Sequence, residues 1–420
     1  VPLQFELIAA RAATKFAMRY LFINQFFWPD EAPTGRLLAD LAAELTALGH
    51  DVTVVCSCTE YRPGRELDTD HKPDVEIVRV PTLQGGSRRR VRVLSWLSFL
   101  LTAGLRSVFL PRADVVVAMT TPPGISLIGY VLKVLRGSRL WIWEMDVYPD
   151  IAIATNVVRA DSIFTKFVSS LIDFSRKKAD GVIAIGECMK RLLVQRGVLA
   201  SRVLVQENWS EISRQSRVER EPEQPLRVLY SGNLGVAHEV ATTKEVLFQL
   251  RNQEAVHFTF AGGGSSRKDL EDFCSAHGVD NCEFLPHLNQ EELIDRLRSS
   301  DVGLVLQKNG CQGAVVPSKF YTLVAAGLPI LYVGPSDSTH AATISRAKCG
   351  WSFEPGESAR IVDLLRLLAQ SPKELHRATK AVQAYRAEIG EFPPAAALAL
   401  QLSGIPSTMS DPAPATAATA

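Results

Sequence analysis

Apolar runs of strand length alternate with helical stretches twice over along this chain, and that alternation restricts its fold more than any other feature. Runs at 20–23, 52–55, 75–80, 115–118, 140–143, 182–185 and 203–205 precede a polar, charged stretch. Further runs follow at 228–230, 258–261, 282–285, 302–306, 330–333 and 351–353. Between the first two runs, Leu37, Leu38, Leu41, Leu45 and Leu48 fall on one helical face, and Gly49-His50 ends that helix before the next strand. A strand, a glycine-containing loop, a helix and a second strand make a crossover unit, and repeated units build a parallel doubly wound sheet with ligands at its carboxyl edge. The expected fold class is α/β, with two doubly wound, Rossmann-like domains facing a central cleft.

At 420 residues, 46% of them apolar, the chain is long enough to bury two cores. The reading divides it into an extension at 1–17, a first domain at 18–209, a linker at 210–225 and a second domain at 226–380. A helical segment at 381–402 is expected to pack back on the first domain, and 403–420, rich in Pro, Ala, Ser and Thr, reads as a disordered tail. The extension lacks the long apolar core of a secretory signal, and the natural start is expected at Met18. A net charge of +1, with no nucleic-acid-binding motif, excludes nucleic acid as a partner. Seven scattered cysteines suit a reducing cytoplasm, with Cys56 and Cys58 read as buried free thiols rather than a metal site. The longest apolar stretch, 93–110, is interrupted by Arg106 and reads as a core or interfacial helix rather than a bilayer span. The cluster Arg88-Arg89-Arg90-Val91-Arg92 stands beside Trp96, Leu97, Phe99 and Leu100. It fits a dock on anionic lipid, and equally a solvated loop before a core helix.

Candidate chemistry gathers at strand ends. After the first strand, the loop 24–36 carries Gly35, which allows backbone to approach a ligand before the helix begins. Neither the dinucleotide glycine spacing nor a P-loop occurs. The run Trp141-Ile-Trp-Glu-Met-Asp-Val-Tyr-Pro-Asp150 ends a strand in acids, and Asp146 is placed to accept a proton from a hydroxyl or to orient it. A helix cap or a loop ion pair would use the same residue, with Glu144 and Asp150 as structural partners. The turn Tyr230-Ser-Gly-Asn-Leu-Gly-Val-Ala-His238 lets Gly232 and Gly235 approach a diphosphate, with Asn233 and His238 as donors. Gly262 to Gly264 form another ligand-permissive turn. In the segment 313–334, Pro317 and Ser318 start a helix, Ser318 by accepting from an orphan N–H, and Gly327 stops it. Ser318 and Lys319 therefore stand at a helix N-terminus, suited to an anion.

Together Asp146-Val-Tyr-Pro-Asp150, Glu207-Asn-Trp209, Tyr230-Ser-Gly-Asn-Leu-Gly235, Pro317-Ser-Lys319 and Ala325-Ala-Gly-Leu-Pro329 resemble the family 4 glycosyltransferases of the GT-B fold, from about Met18 to about residue 390. Within that family they are most similar to the colanic-acid and L-fucosaminyl transferases of surface-polysaccharide biosynthesis. The resemblance implies sugar transfer from a nucleotide diphosphate sugar to an acceptor hydroxyl with retention, with no metal or other cofactor. It makes the first domain the acceptor side and the second the nucleotide-sugar side, with a lipid-linked glycan as acceptor. Gly35 is then expected against the donor's phosphate and sugar, Asp146 near the acceptor or the sugar, and Lys319 at the diphosphate. Asn233 and His238 occupy positions where many relatives have Arg and Lys. Ala314 and Thr322 stand where many relatives carry a Glu pair, the second of which holds the ribose. Two other readings use the same fold: a catalytically silent sugar-nucleotide or glycan-binding subunit, and a sugar-nucleotide epimerase.

Overall fold

The computed structural model describes residues 17–30, 32–60, 73–86, 89–210, 212, 218, 221, 224–389 and 394–404. Residues 1–16, Arg88, most of the expected linker and 405–420 lie outside the described residues, so the expectations placed on them are not taken further.

Strands β1 (Arg19–Ile23), β2 (Asp51–Ser57), β3 (Glu76–Val80), β4 (Val115–Ala118), β5 (Arg139–Glu144), β6 (Gly181–Ala184) and β7 (Val203–Val205) form one sheet in the order β3-β2-β1-β4-β5-β6-β7. A second sheet takes β8 (Leu226–Ser231), β9 (Val256–Ala261), β10 (Cys282–Leu285), β11 (Val302–Leu306), β12 (Ile330–Val333) and β13 (Gly350–Phe353) in the order β10-β9-β8-β11-β12-β13. The pairings are parallel, with Tyr20 beside Val52, Trp143 beside Ile183 and Val305 beside Tyr332. All residues of β4, β6, β11 and β12 are buried, because helices cover both faces of a doubly wound sheet. That double burial is why these strands are continuous apolar runs rather than alternating ones.

The chain forms two compact units. One comprises 1–117, 134–138 and 392–420, and the other 118–133 with 139–391. In the first, α1 (Pro33–Ala47) starts on a proline, whose missing N–H costs nothing at that position, and buries Leu37, Leu38, Leu41 and Leu45. Helix α14 (Pro394–Leu402) packs on α1, and Ser403 behind it hydrogen-bonds His50 Nε2 at 2.9 Å and the Tyr20 hydroxyl at 3.3 Å. Each leucine that α14 buries contributes about 1.5–3 kcal/mol. The boundary expected at residue 380 falls inside α13 (Pro372–Ile389), which belongs to the second unit.

Helix α2 (Arg89–Val108) differs from its sequence reading. Ser95, Phe99, Ala103 and Ser107 are buried, four residues apart along one stripe, whereas Leu94, Leu97, Leu101 and Leu105 are exposed. Phe99 is therefore core and not part of an outward face. Arg90–Val108 is long and apolar enough, by length and composition, to cross a membrane, which the earlier count of its apolar stretch did not allow. Among the thiols, Cys56 is buried but Cys58 is exposed, because β2 ends at Ser57.

Candidate active site

Asp146 stands two residues past the end of β5, in the second unit. The acids around it are engaged elsewhere. Glu144 takes the Arg176 guanidinium through two contacts, 2.6 and 3.2 Å, from α5 (Ile163–Lys178), and both side chains are fully buried. Arg176 also reaches Asp173 and the Tyr148 carbonyl, while Asp150 pairs with Arg196. Glu144 and Asp150 are thus structural ion-pair partners of arginines rather than of Asp146. This leaves the Asp146 carboxyl beside a small cavity lined by Thr120, Gly124, Ser126, Tyr148, Ile172 and Arg176. Burial, and then the nearby charge of Glu144, raise its pKa to about 6. A carboxyl titrating there can exchange protons near neutral pH.

The strand end that carries Asp146 is tied to the loop before α10 (Lys319–Ala326). Asp146 bridges Val315, and Val147 N–H donates to the Ala314 carbonyl at 2.8 Å. Loop 312–315 therefore runs beside the Asp146 backbone on its way to Lys319.

Lys319 opens α10, and its side chain lies across the turn after β8. A Cβ added to Gly232 would collide with Lys319 Cε and stand 2.7 Å from Nζ, so only glycine lets the ammonium rest on that backbone. Gly232 also holds a φ of 132°, which side-chain-bearing residues rarely adopt. His238 turns back on the same loop, its Nδ1 lying 3.0 Å from the Gly235 backbone nitrogen and 3.1 Å from the Gly235 carbonyl oxygen. Its pKa is lowered by burial, opposed by the Gly235 hydrogen bond and reinforced by the Lys319 charge. The 262–264 turn packs against 232–234: Leu234 N–H donates to the Gly263 carbonyl at 2.7 Å. Room for a side chain at Gly263 is filled by His287 Nε2 and Asn233 Oδ1. Lys319, His238, Gly232 and Asn233 are thus brought together.

Two expectations change. Ser318 occupies the N-cap of α10 but makes no side-chain cap hydrogen bond; Tyr321 N–H donates to its carbonyl instead, at 3.2 Å. Gly35 does not precede a helix but lies in the first turn of α1, where a Cβ would press on the Phe26 carbonyl at 3.0 Å. Close packing against Phe26 in the first unit favours a glycine there. Thr322 lies partly buried one turn along α10.

Residues 34–209 match a family model described as a glycosyl transferase 4-like domain, and residues 211–385 match glycosyl transferases group 1. The chain belongs to the family 4 glycosyltransferases. Its GT-B architecture is shared with HepE of Anabaena, solved in complex with UDP, at a TM-score of 0.64 and 12% identity over 92% of this chain and 99% of that one. A putative colanic acid biosynthesis glycosyl transferase of Escherichia coli (strain K12), WcaI, is 31% identical over 159 residues, 35% of this chain and 39% of the relative. A probable glycosyltransferase of Pseudomonas aeruginosa, WbjE, is 26% identical over 268 residues, 60% of this chain and 66% of the relative. The matched stretches span less than two thirds of either relative.

Against this family pattern, the structure adds residues that the sequence reading missed. His340, on α11 (Thr339–Ala347), is buried and sends Nε2 to the Pro317 carbonyl, just ahead of Ser318 and Lys319. Thr120 Oγ1 accepts from Met145 N–H at 3.1 Å and steadies the approach to Asp146. His287 joins Asn233 at the glycine turn. Glu207, already marked by the Glu-Asn-Trp motif, has its pKa raised by burial to about 7, and Trp209 of that motif stacks on Trp143 at 6.0 Å. The contacts of His340, Thr120 and His287 leave no local signal, since each joins segments distant in sequence.

Proposed function

We propose that this glycosyltransferase moves a sugar from a nucleotide diphosphate sugar to an acceptor hydroxyl, with retention at the anomeric carbon and without a metal. The observation that carries the reading is Lys319 laid across Gly232 beside His238. The bond from the anomeric carbon to the diphosphate breaks as the acceptor oxygen bonds to that carbon. The departing diphosphate is an anion, and the Lys319 ammonium, the start of α10 and the His238 ring neutralise it, lowering the barrier to its departure. HepE's complex with UDP supports a nucleoside diphosphate leaving group. Asn233 and Ser318 bind the same diphosphate, and Thr322 stands toward the ribose.

Asp146 acts on the acceptor side, orienting the hydroxyl while the proton passes to Asp146 or to a leaving diphosphate oxygen. The likeness to WcaI supports a place in the biosynthesis of a surface polysaccharide, and the proposal extends to a lipid-linked acceptor at the cytoplasmic face of the inner membrane. The exposed leucines of α2 beside Arg90 and Arg92 suit an anionic lipid surface there. A donor screen that reads nucleoside diphosphate release with lipid-linked acceptor supplied tests the assignment. Lys319→Ala and Asp146→Ala each reduce release by at least a hundredfold on this reading. If both variants form product at the wild-type rate, catalysis at this site is refuted.

A further inference from the structure

The outer face of α5 carries an exposed apolar stripe. Phe164, Phe167, Leu171 and Phe174 recur at three- and four-residue spacing on one side, preceded by Ile163, while Thr165, Ser169, Ile172, Ser175 and Arg176 face inward. Ile163 is 87% exposed, Phe164 74% and Phe167 60%. Bulky side chains this bare, on a helix whose other side is packed, mark a surface that binds something. Helix α3 (Ile125–Arg136) continues the patch: Tyr130 meets Phe174 edge-on at 5.0 Å, and Val131 is exposed beside it.

Charge identifies the occupant. Lys166, Lys177 and Lys178 are exposed on α5, and Lys178 Nζ sits 5.9 Å from the Phe174 ring. The carboxylates on or next to the helix are already matched: Asp161 by Arg159, Asp173 by Arg176 and Arg196, and Asp180 by Lys133. The face is thus apolar at its centre and cationic at its edges, the pattern of a helix lying in the headgroup region of an anionic bilayer. A second copy of the chain would set these lysines against each other with no carboxylate to pair them.

We infer that the α5 face, extended by Tyr130 and Val131 of α3, docks on an anionic lipid bilayer through Phe164, Phe167, Leu171 and Phe174. The same helices wall the cavity beside Asp146, with Ser126 from α3 and Ile172 and Arg176 from α5. The bilayer surface then lies about one helix diameter, roughly 10 Å, from that cavity.

Sedimentation of the full chain with vesicles of phosphatidylglycerol in phosphatidylcholine, and of phosphatidylcholine alone, tests this. Phe164→Ser with Phe167→Ser alters only exposed positions, and an unchanged melting temperature confirms that the variant folds. It is expected to weaken binding to the anionic vesicles at least tenfold. Lys177→Gln with Lys178→Gln weakens it about fivefold per lysine, a difference that high salt removes. Wild-type binding by both double variants overturns the inference, since α2 alone would then hold the protein. Absence of vesicle binding by the wild type also overturns it, as does a dimer in light scattering that the Phe164→Ser, Phe167→Ser variant dissociates. The assay uses neither donor nor acceptor, so its failure is separate from any failure of the transfer chemistry.

Discussion

His340 Nε2 lies 2.9 Å from the carbonyl oxygen of Pro317, and its ring lies parallel to that of Phe320 at 4.3 Å. One buried side chain thereby holds both the residue before the Ser318-Lys319 turn and the first full turn of α10. Burial lowers its pKa to about 4, against the Pro317 hydrogen bond that raises it, so the ring is neutral near pH 7 and donates through Nε2–H. His340→Phe keeps the stack but removes the donor, leaving a buried carbonyl to lose about 1–3 kcal/mol. We expect its KM for the donor to rise more than its kcat falls. His340→Gln, which offers an N–H at a similar reach, should recover most of the loss, and steady-state kinetics with varied donor will show it.

Gly232 admits a side chain only if Lys319 moves. Alanine there meets the Lys319 side chain and an unsuitable φ together. Gly232→Ala is expected to cost about 1–3 kcal/mol of stability and to weaken nucleoside diphosphate binding at least tenfold. Thermal melts and calorimetric titration with UDP measure the two effects; binding at wild-type strength would show that the Lys319 position is immaterial.

The Asp146 carboxyl supplies a pH dependence. With its pKa raised to about 6, it is protonated below that pH and ionised above, so kcat/KM should climb as pH increases through about 6. Asp146→Asn should abolish this limb along with most of the activity. The stability effect has the opposite sense. A carboxyl whose folded pKa is raised stabilises the fold below its unfolded pKa, and that contribution is lost as pH rises to about 6.

Glu207 follows the same rule at a higher pH. Burial, then the Arg346 charge opposing it and Glu187 reinforcing it, leave its pKa at about 7, so its favourable contribution is lost between the usual carboxylate range and pH 7. The full shift corresponds to about 3 kcal/mol, and partial exposure of the residue discounts that to about 2 kcal/mol. Glu207→Gln should therefore raise the melting temperature relative to wild type at pH 8 and leave the two alike near pH 4. Differential scanning calorimetry across that range decides it.

Every strand read from the sequence is present within about two residues of its expected ends, the central ones because burial on both faces writes itself locally as an uninterrupted apolar run. Helix starts were harder to place. Pro33 opens α1 inside what reads as a glycine loop, so Gly35 lies within the helix, packed against Phe26, rather than ahead of it. Pairings across the fold left no trace at all: Arg176 is 32 residues from Glu144, and His340 is 23 from Pro317. Lys319 was legible as a helix-end cation, but the glycine beneath it became its seat only once β8 and α10 were packed together.

Helix α14 sets an order for biosynthesis. The surface of α1 that it covers belongs to the first unit, yet its partner leaves the ribosome only after the whole second unit. Until residues 394–402 emerge, a nascent chain whose second unit is already complete still presents that uncovered surface. Quality control by a chaperone, or a premature stop codon before residue 394, would therefore be felt first in the unit that was synthesised first.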